Sequence, residues 1–108
     1  MTALQDILET GLVTPATVAH ILGTTPRSVT RWNHDAAGPH RREVIERMLE
    51  LKAVLELAQK VMKPAWASTW LYGPVPALDY NKPLNLIRDG EYRRVIAALN
   101  ALAERTEG

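Results

Sequence analysis

Residues 14–34 read TPATVAHILGTTPRSVTRWNH, and two helix starts stand close together within them. A threonine-proline pair begins at Thr14 and another at Thr25. The threonine hydroxyl accepts a hydrogen bond from the first helical turn, and proline at the next position loses no backbone hydrogen bond there. Only Gly23 and Thr24 lie between the end of the first helix and the second start. The stretch therefore predicts two short helices that a tight turn forces to cross steeply.

The residue types over residues 15–34 match the spacing of a helix-turn-helix motif. Ala19 is small where the helices would approach, and Val29 and Trp32 would form the inner face of the second helix. The residues that would then face outward are candidate DNA contacts: Thr25, Arg27, Thr30 and Arg31. Arginine can contact guanine edges or phosphates. The alternative is a motif that serves only for packing, with both arginines in solvent.

The rest of the chain predicts further helices and no strand, because apolar and polar residues nowhere alternate over a sufficient length. Helix starts are expected at Thr2, Arg41, Pro64, Pro83 and Glu91. The first of these is a capping box, in which Gln5 lies three residues after Thr2. The helix from Arg41 extends to about Met62, and residues 106–108 form a polar tail.

The long helix carries two rows of apolar residues. The first row is Val44, Met48, Leu51, Leu55, Ala58 and Met62, and the second is Ile45, Leu49, Leu57 and Val61. Together they form a band that is too wide for contact with one neighbouring helix. Either this helix is the centre of the domain and is covered on two sides, or one row pairs with a second copy of the chain in a dimer.

Two tryptophans, Trp66 and Trp70, are four residues apart and therefore lie on neighbouring turns of one helix. Aromatic residues at helical spacing are more often part of a hydrophobic core than of a binding site. We expect both side chains to be buried.

Composition excludes several classes of protein. The chain has 108 residues, of which 46% are hydrophobic and 23% charged, and this balance is typical of a folded domain. Its longest apolar run, residues 95–99, is far shorter than the ~20 residues of a membrane span. The first residues have neither the basic nor the apolar segment of a signal peptide, and there is no cysteine. We therefore expect a cytoplasmic protein that makes no membrane contact.

Neither catalysis nor metal binding is expected. His34, Asp35 and His40 could supply three metal ligands, but no fourth ligand lies near them in the sequence. No serine lies in the setting of a nucleophile, and no glycine-rich loop is present to hold a phosphate. The predicted protein is not an enzyme and binds no cofactor.

The carboxyl-terminal half contains Trp70-Leu71, then NKPLNLIRDGEY at residues 81–92, then Val95 and Leu99. This run resembles the toxin-binding domain of the MbcA/ParS/Xre-type antitoxins, and most closely the MbcA-like antitoxins of RES-domain toxins. That domain has an aromatic helix, a lysine-proline helix start, an aliphatic pair and a glycine-glutamate step into a last helix, in this order.

The resemblance implies an all-α protein with three parts. Residues 1–40 would form the helix-turn-helix unit, residues 41–63 a long linking helix, and residues 64–108 the toxin-binding domain. It also implies a function: an antitoxin of a type II toxin–antitoxin system that neutralises a RES-domain, NAD-degrading toxin by covering its active site. Many members of the family also bind operator DNA and repress their own operon.

The resemblance, together with charge, suggests which residues would bind the toxin. They are Lys82, Arg88, Arg93, Arg94, Glu104, Arg105, Glu107 and Gly108. A cleft that accepts the phosphates of NAD is positively charged, so Glu104, Glu107 and the terminal carboxylate would imitate the charge of the substrate. Two other functions remain open: a stand-alone helix-turn-helix transcriptional regulator whose carboxyl-terminal half mediates dimerisation, and a polar-localisation adaptor.

Overall fold

The computed structural model describes residues 2–35 and 38–107, with side chains described as far as Arg105. These residues form α-helices and one short 3-10 helix, Pro76–Leu78, and no strand. The α-helices are α1 (Ala3–Glu9), α2 (Pro15–Leu22), α3 (Pro26–His34), α4 (Arg42–Val61), α5 (Pro64–Tyr72), α6 (Pro83–Arg88) and α7 (Tyr92–Glu107). The predicted all-α class is confirmed. Helix α7 also takes in the first two residues of the predicted polar tail, because it runs to Glu107.

The first three helices begin at the predicted threonines. The Oγ1 atoms of Thr2, Thr14 and Thr25 each accept a hydrogen bond from the backbone N–H three residues further on, at 3.2, 3.2 and 3.1 Å. Each bond satisfies one of the N–H groups that have no partner inside the helix. Local side-chain chemistry therefore sets where α1, α2 and α3 start.

Three residues, 23–25, connect α2 to α3. Gly23 ends α2 in the left-handed region with φ 70°, a conformation that glycine adopts without steric cost. The backbone N–H of Thr24 then donates to the carbonyl of Ala19 at 2.9 Å. Val29 of α3 is fully buried and Trp32 is partly buried, as the sequence predicts. That this pair of helices binds DNA stays a prediction.

Helix α4 lies at the centre of the protein and contacts α1, α2, α5, α6 and α7. Its buried residues are Met48, Leu51, Val54, Leu55 and Ala58. Leu49, in the second predicted row, is 51% exposed. Within one chain, α4 is therefore a core helix covered on two sides, and the pairing of two copies through its outer row stays a prediction.

The buried side chains of the two halves form one continuous cluster. Ile7 of α1 and Val18 of α2 belong to it, and so do Ile87 of α6 and Leu99 of α7. The hydrophobic core consequently shows no gap at residues 40 or 63. The division of the chain into three functional parts at these residues stays a prediction.

The expectation of two buried tryptophans is wrong for Trp66, which is 69% exposed, whereas Trp70 is partly buried against the core. The residues of α5 that are fully buried are Ala67 and Leu71. At about 100° per residue, Trp66 lies roughly 120° from the centre of this stripe and Trp70 roughly 80°. The small side chain of Ala67 faces the neighbouring helices, so Trp66 is turned toward solvent.

The segment between α5 and α6 folds back on itself. Val75 and Asn81 form an isolated antiparallel bridge, in which the Val75 N–H donates to the Asn81 carbonyl at 3.2 Å. Asp79 and Tyr80 have φ values of 56° and 63°, and these left-handed conformations reverse the chain between Val75 and Asn81. The predicted polar turn is present, but the 3-10 helix before it was not expected. In the described parts of the chain, no helix is long and apolar enough to cross a membrane.

The position of α4 gives a prediction about stability. Leu55 is fully buried, so Leu55→Ala leaves a cavity, and we expect the free energy of unfolding to fall by about 2–5 kcal/mol. The control is Gln59→Ala on the same helix, which truncates an exposed side chain outside both predicted rows and changes that free energy by less than about 0.5 kcal/mol. Urea denaturation followed by circular dichroism measures both. Equal losses in the two variants would contradict the assignment of the buried face.

Candidate functional site

The outer face of α3 carries the residues that the sequence predicts for DNA. Arg27, Thr30 and Arg31 are exposed, and neither arginine has a carboxylate within 4.0 Å in the parts of the chain that are described. Thr25 is exposed as well, but its hydroxyl is engaged with Ser28, whose backbone N–H it caps. The face therefore presents two available guanidinium groups one helical turn apart.

The candidate toxin-binding cations divide into two kinds. Lys82 and Arg93 are exposed, without an ion pair to another described residue. Arg94 bridges Asp79 and Glu91, with distances of 3.0 and 3.2 Å to their carboxylate oxygens. Arg94 therefore holds the 79–81 reversal against α7, and a partner protein would have to compete with these contacts.

Arg88 is also engaged within the protein. Its Nε donates to Oδ1 of Asp89 at 2.9 Å, and its Nη1 lies 2.8 Å from Nε2 of His20. Since guanidinium can only donate, His20 is the acceptor in this contact. The contact joins α2 to α6, and thus the amino-terminal half to the carboxyl-terminal half.

The resolved pKa shifts belong to two ion pairs at the surface, each with one partly buried member. The hydrogen bond and charge of Arg88 hold the pKa of Asp89 below its ordinary value, and Asp89 raises the pKa of Arg88. Lys52 and Glu56 do the same to each other, so the pKa of Glu56 is lowered and that of Lys52 is raised. No three His, Cys, Asp or Glu side chains among residues 2–35 and 38–105 are arranged to hold a metal ion.

The end of α7 is the predicted inhibitory segment. Glu104 and Arg105 are both exposed. The side chain of Glu107 and all of Gly108 lie outside the described residues. The last carbonyl groups of a helix have no partner inside it and form the negative end of its dipole. The segment therefore offers negative charge from the backbone as well as from Glu104.

A surface that the sequence reasoning missed lies beside this segment. Two adjoining grooves share Trp70 and Val75 and run between α5, the 3-10 helix and α7. We call them together the tryptophan cleft; its main apolar lining is Trp66, Trp70, Val75, Pro76, Ala98 and Leu102. The signal in the sequence is the pair Ala67 and Leu71, since one short helix cannot bury both this pair and the two tryptophans completely.

The engagement of Arg88 gives a prediction about Asp89. Because Arg88 stabilises the ionised carboxylate, we expect Arg88→Ala to raise the pKa of Asp89 toward its ordinary value. Arg94→Ala is the control, since Arg94 pairs with Asp79 and Glu91 instead. The carboxyl carbon of Asp89, followed by NMR through an acid titration, reports the pKa. The sign also sets a stability effect: the contribution of the pair is present above the ordinary pKa of aspartate and is lost as the pH falls through the lowered value. An unchanged pKa in Arg88→Ala would show that the contact does not persist in solution.

No protein-family model matches the chain. It is 38% identical over 87 residues to the mycobacterial cidal antitoxin MbcA of Mycobacterium bovis, and this alignment covers 81% of the chain and 76% of the relative. The MbcA proteins of two Mycobacterium tuberculosis strains give the same values.

The fold agrees with this relationship. The structure superposes on a chain of the crystal structure of the M. tuberculosis MbcT-MbcA toxin-antitoxin complex with a TM-score of 0.82 and 34% identity. The superposition covers 94% of this chain and 91% of that one. Relatedness over most of both lengths, together with a shared all-α fold, establishes that the chain belongs to the family of the mycobacterial cidal antitoxin MbcA, whose role is not enzymatic.

Proposed function

We propose that this chain is an antitoxin that binds and neutralises a toxin encoded beside it. The observation that carries the proposal is its likeness to a chain of the MbcT-MbcA toxin-antitoxin complex, with 34% identity and a TM-score of 0.82. The names of the sequence relatives, mycobacterial cidal antitoxins, support the same role. The setting that we propose is the cytoplasm.

The partner in this proposal is a RES-domain toxin that degrades NAD. Its active site must accept phosphates and is therefore positively charged. The end of α7, with Glu104 and the negative end of the helix dipole, has the complementary sign. Residues 64–108 act as the toxin-binding part, and their last residues cover the mouth of the active site.

Charge at this segment gives a first test. In the double variant Glu104→Gln/Glu107→Gln, the length of the segment and Arg105 are kept, but two negative charges are lost. We expect weaker inhibition of the toxin, by about three- to tenfold in the antitoxin concentration required, because the attraction to a cationic cleft is reduced. Inhibition of NAD loss by the purified neighbouring toxin measures the effect.

Removal of residues 104–108 deletes the whole segment, and we expect inhibition of the toxin to weaken more than in the double variant. The control is Glu43→Gln/Glu46→Gln at the start of α4, where both carboxylates are exposed and paired with arginines of their own segment. Full protection of toxin-expressing cells by the shortened chain would show that the end of α7 does not cover the active site.

A second role, repression of its own operon, is favoured by the outer face of α3. Arg27 and Arg31 are exposed without carboxylate partners among the described residues, and Thr30 lies beside them. We propose that two copies pair through the outer row of α4, where Leu49 is 51% exposed. A dimer of this kind binds two half-sites about 34 Å apart, whereas one copy with two arginines binds weakly.

For DNA, we expect Arg27→Ala/Arg31→Ala to abolish retardation of the operator fragment and to leave toxin binding intact. Both side chains are exposed, so the fold does not depend on them. If they contact phosphates, the slope of log affinity against log salt also falls in magnitude by about 1.8 per copy, or about 3.6 for the dimer. Electrophoretic mobility shift and a toxin pull-down are run on the same preparation. Loss of both activities together would indicate a damaged fold, and retention of both would exclude this face of α3 from DNA binding.

A stand-alone transcriptional regulator is the competing function. It predicts operator binding without any effect on a neighbouring toxin. Co-purification with the product of the adjacent gene separates the two: a stable complex supports the antitoxin, and its absence with intact operator binding supports the regulator.

A further inference from the structure

The tryptophan cleft is the part of the surface with the most exposed aromatic area beside a preformed groove. Trp66 is 69% exposed, and Trp70 forms a wall common to both grooves. The floor is supplied by Val75, which is buried, and one side by Leu102 of α7. Tryptophan that is exposed in the free protein and surrounded by apolar groups is the residue type that contributes most to protein interfaces when it becomes buried.

Among the residues that line the cleft, the charged one is Arg105, at the α7 side. A second cation, Lys63, directly follows the lining residue Met62 in the chain, at the start of α5. Both are exposed, and neither forms an ion pair within the described chain. A partner that inserts an apolar group into the cleft therefore binds most tightly if acidic residues surround that group.

The same charges argue against a second copy of this chain as the occupant. In a twofold dimer each surface meets itself, so the edges of two clefts would bring Arg105 and Lys63 of one copy near those of the other. Cations brought together without carboxylates repel each other as they lose water. The outer row of α4, by contrast, is flanked by side chains of both signs, such as Arg42 and Glu46.

We infer that the tryptophan cleft receives an apolar side chain, flanked by acidic residues, from the toxin. The inference rests on the proposed function and deepens it, because it adds a second contact on this chain, which adjoins the end of α7 and shares Arg105 with it. Glu104 and the helix dipole carry negative charge toward a cationic active site, whereas Arg105 and Lys63 carry positive charge toward an acidic surface. The two contacts together orient the antitoxin on its partner in one way only.

Trp66→Ala in the full-length chain tests the inference. Because the side chain is mostly exposed, the variant keeps the fold, and we expect binding to the purified neighbouring toxin to weaken by at least about tenfold. The matched control is Tyr80→Ala: Tyr80 is 70% exposed and lies outside the cleft, so its removal leaves the affinity unchanged. Isothermal titration calorimetry gives both affinities, and thermal unfolding of each free variant confirms equal stability.

The charged edge is tested separately with Lys63→Glu, because Arg105 also belongs to the end of α7 and its replacement would alter both contacts. For the wild-type chain, the contribution of Lys63 to affinity falls as salt is raised. In Lys63→Glu that contribution reverses, and binding at low salt weakens by about three- to tenfold. Equal affinity of wild type, Trp66→Ala and Tyr80→Ala for the toxin would overturn the inference while leaving the antitoxin function intact. A wild-type chain that does not bind the toxin at all would overturn the proposed function and this inference with it.

Sedimentation of the free chains tests whether a second copy of this chain occupies the cleft. We expect wild type and Trp66→Ala to have the same mass at every concentration. A lower mass for Trp66→Ala alone would show that the cleft joins two copies of this chain, and the inference would then be wrong.

Discussion

The burial of one stripe of α4 is the constraint on which the rest of the structure depends. Leu51, Val54, Leu55 and Ala58 are fully buried, and five other helices contact the helix that carries them. Isolated helices shorter than about 12 residues are marginally stable in water, and four of these five neighbours are that short. Helix α7 is longer, but it is amphipathic and needs a partner for its apolar face. The long helix supplies that partner for both halves at once, so the halves share one core although they are expected to act on different molecules.

The candidate surfaces belong to different halves of the chain. The outer face of α3 precedes α4 in the sequence, whereas the tryptophan cleft and the end of α7 belong to the carboxyl-terminal half. The contact between His20 and Arg88 and the hydrogen bond from the Tyr72 hydroxyl to the Leu12 carbonyl, at 3.0 Å, connect the halves outside the core. These contacts connect the part of the chain that carries the proposed DNA face with the part that carries the proposed toxin face.

Charge acts at two levels in this protein. Arg88 joins α6 to α2 through His20, at 2.8 Å, and Arg94 joins α7 to the 79–81 reversal through Asp79, at 3.0 Å. Arg27, Arg31, Arg93 and Arg105 have no such partner among the described residues, so their hydrogen-bonding capacity remains available. The net charge of +1 conceals this difference, because paired and available arginines count equally in a sum.

The sequence by itself determined the helical class, nearly every helix start and the outward face of α3. These features depend on hydrogen bonds and side-chain periodicity within three or four residues, as at Thr14 and Thr25. Only the tertiary structure decided which face of α5 meets the core, and hence that Trp66 is exposed, because that choice depends on the packing of α5 against α4 and α6, in which Ala67 and Leu71 are buried. It also decided which arginines are engaged, since Asp79 and Arg94 are fifteen residues apart and His20 and Arg88 sixty-eight. Contacts over such separations are set by the packing of whole helices, and no local pattern encodes them.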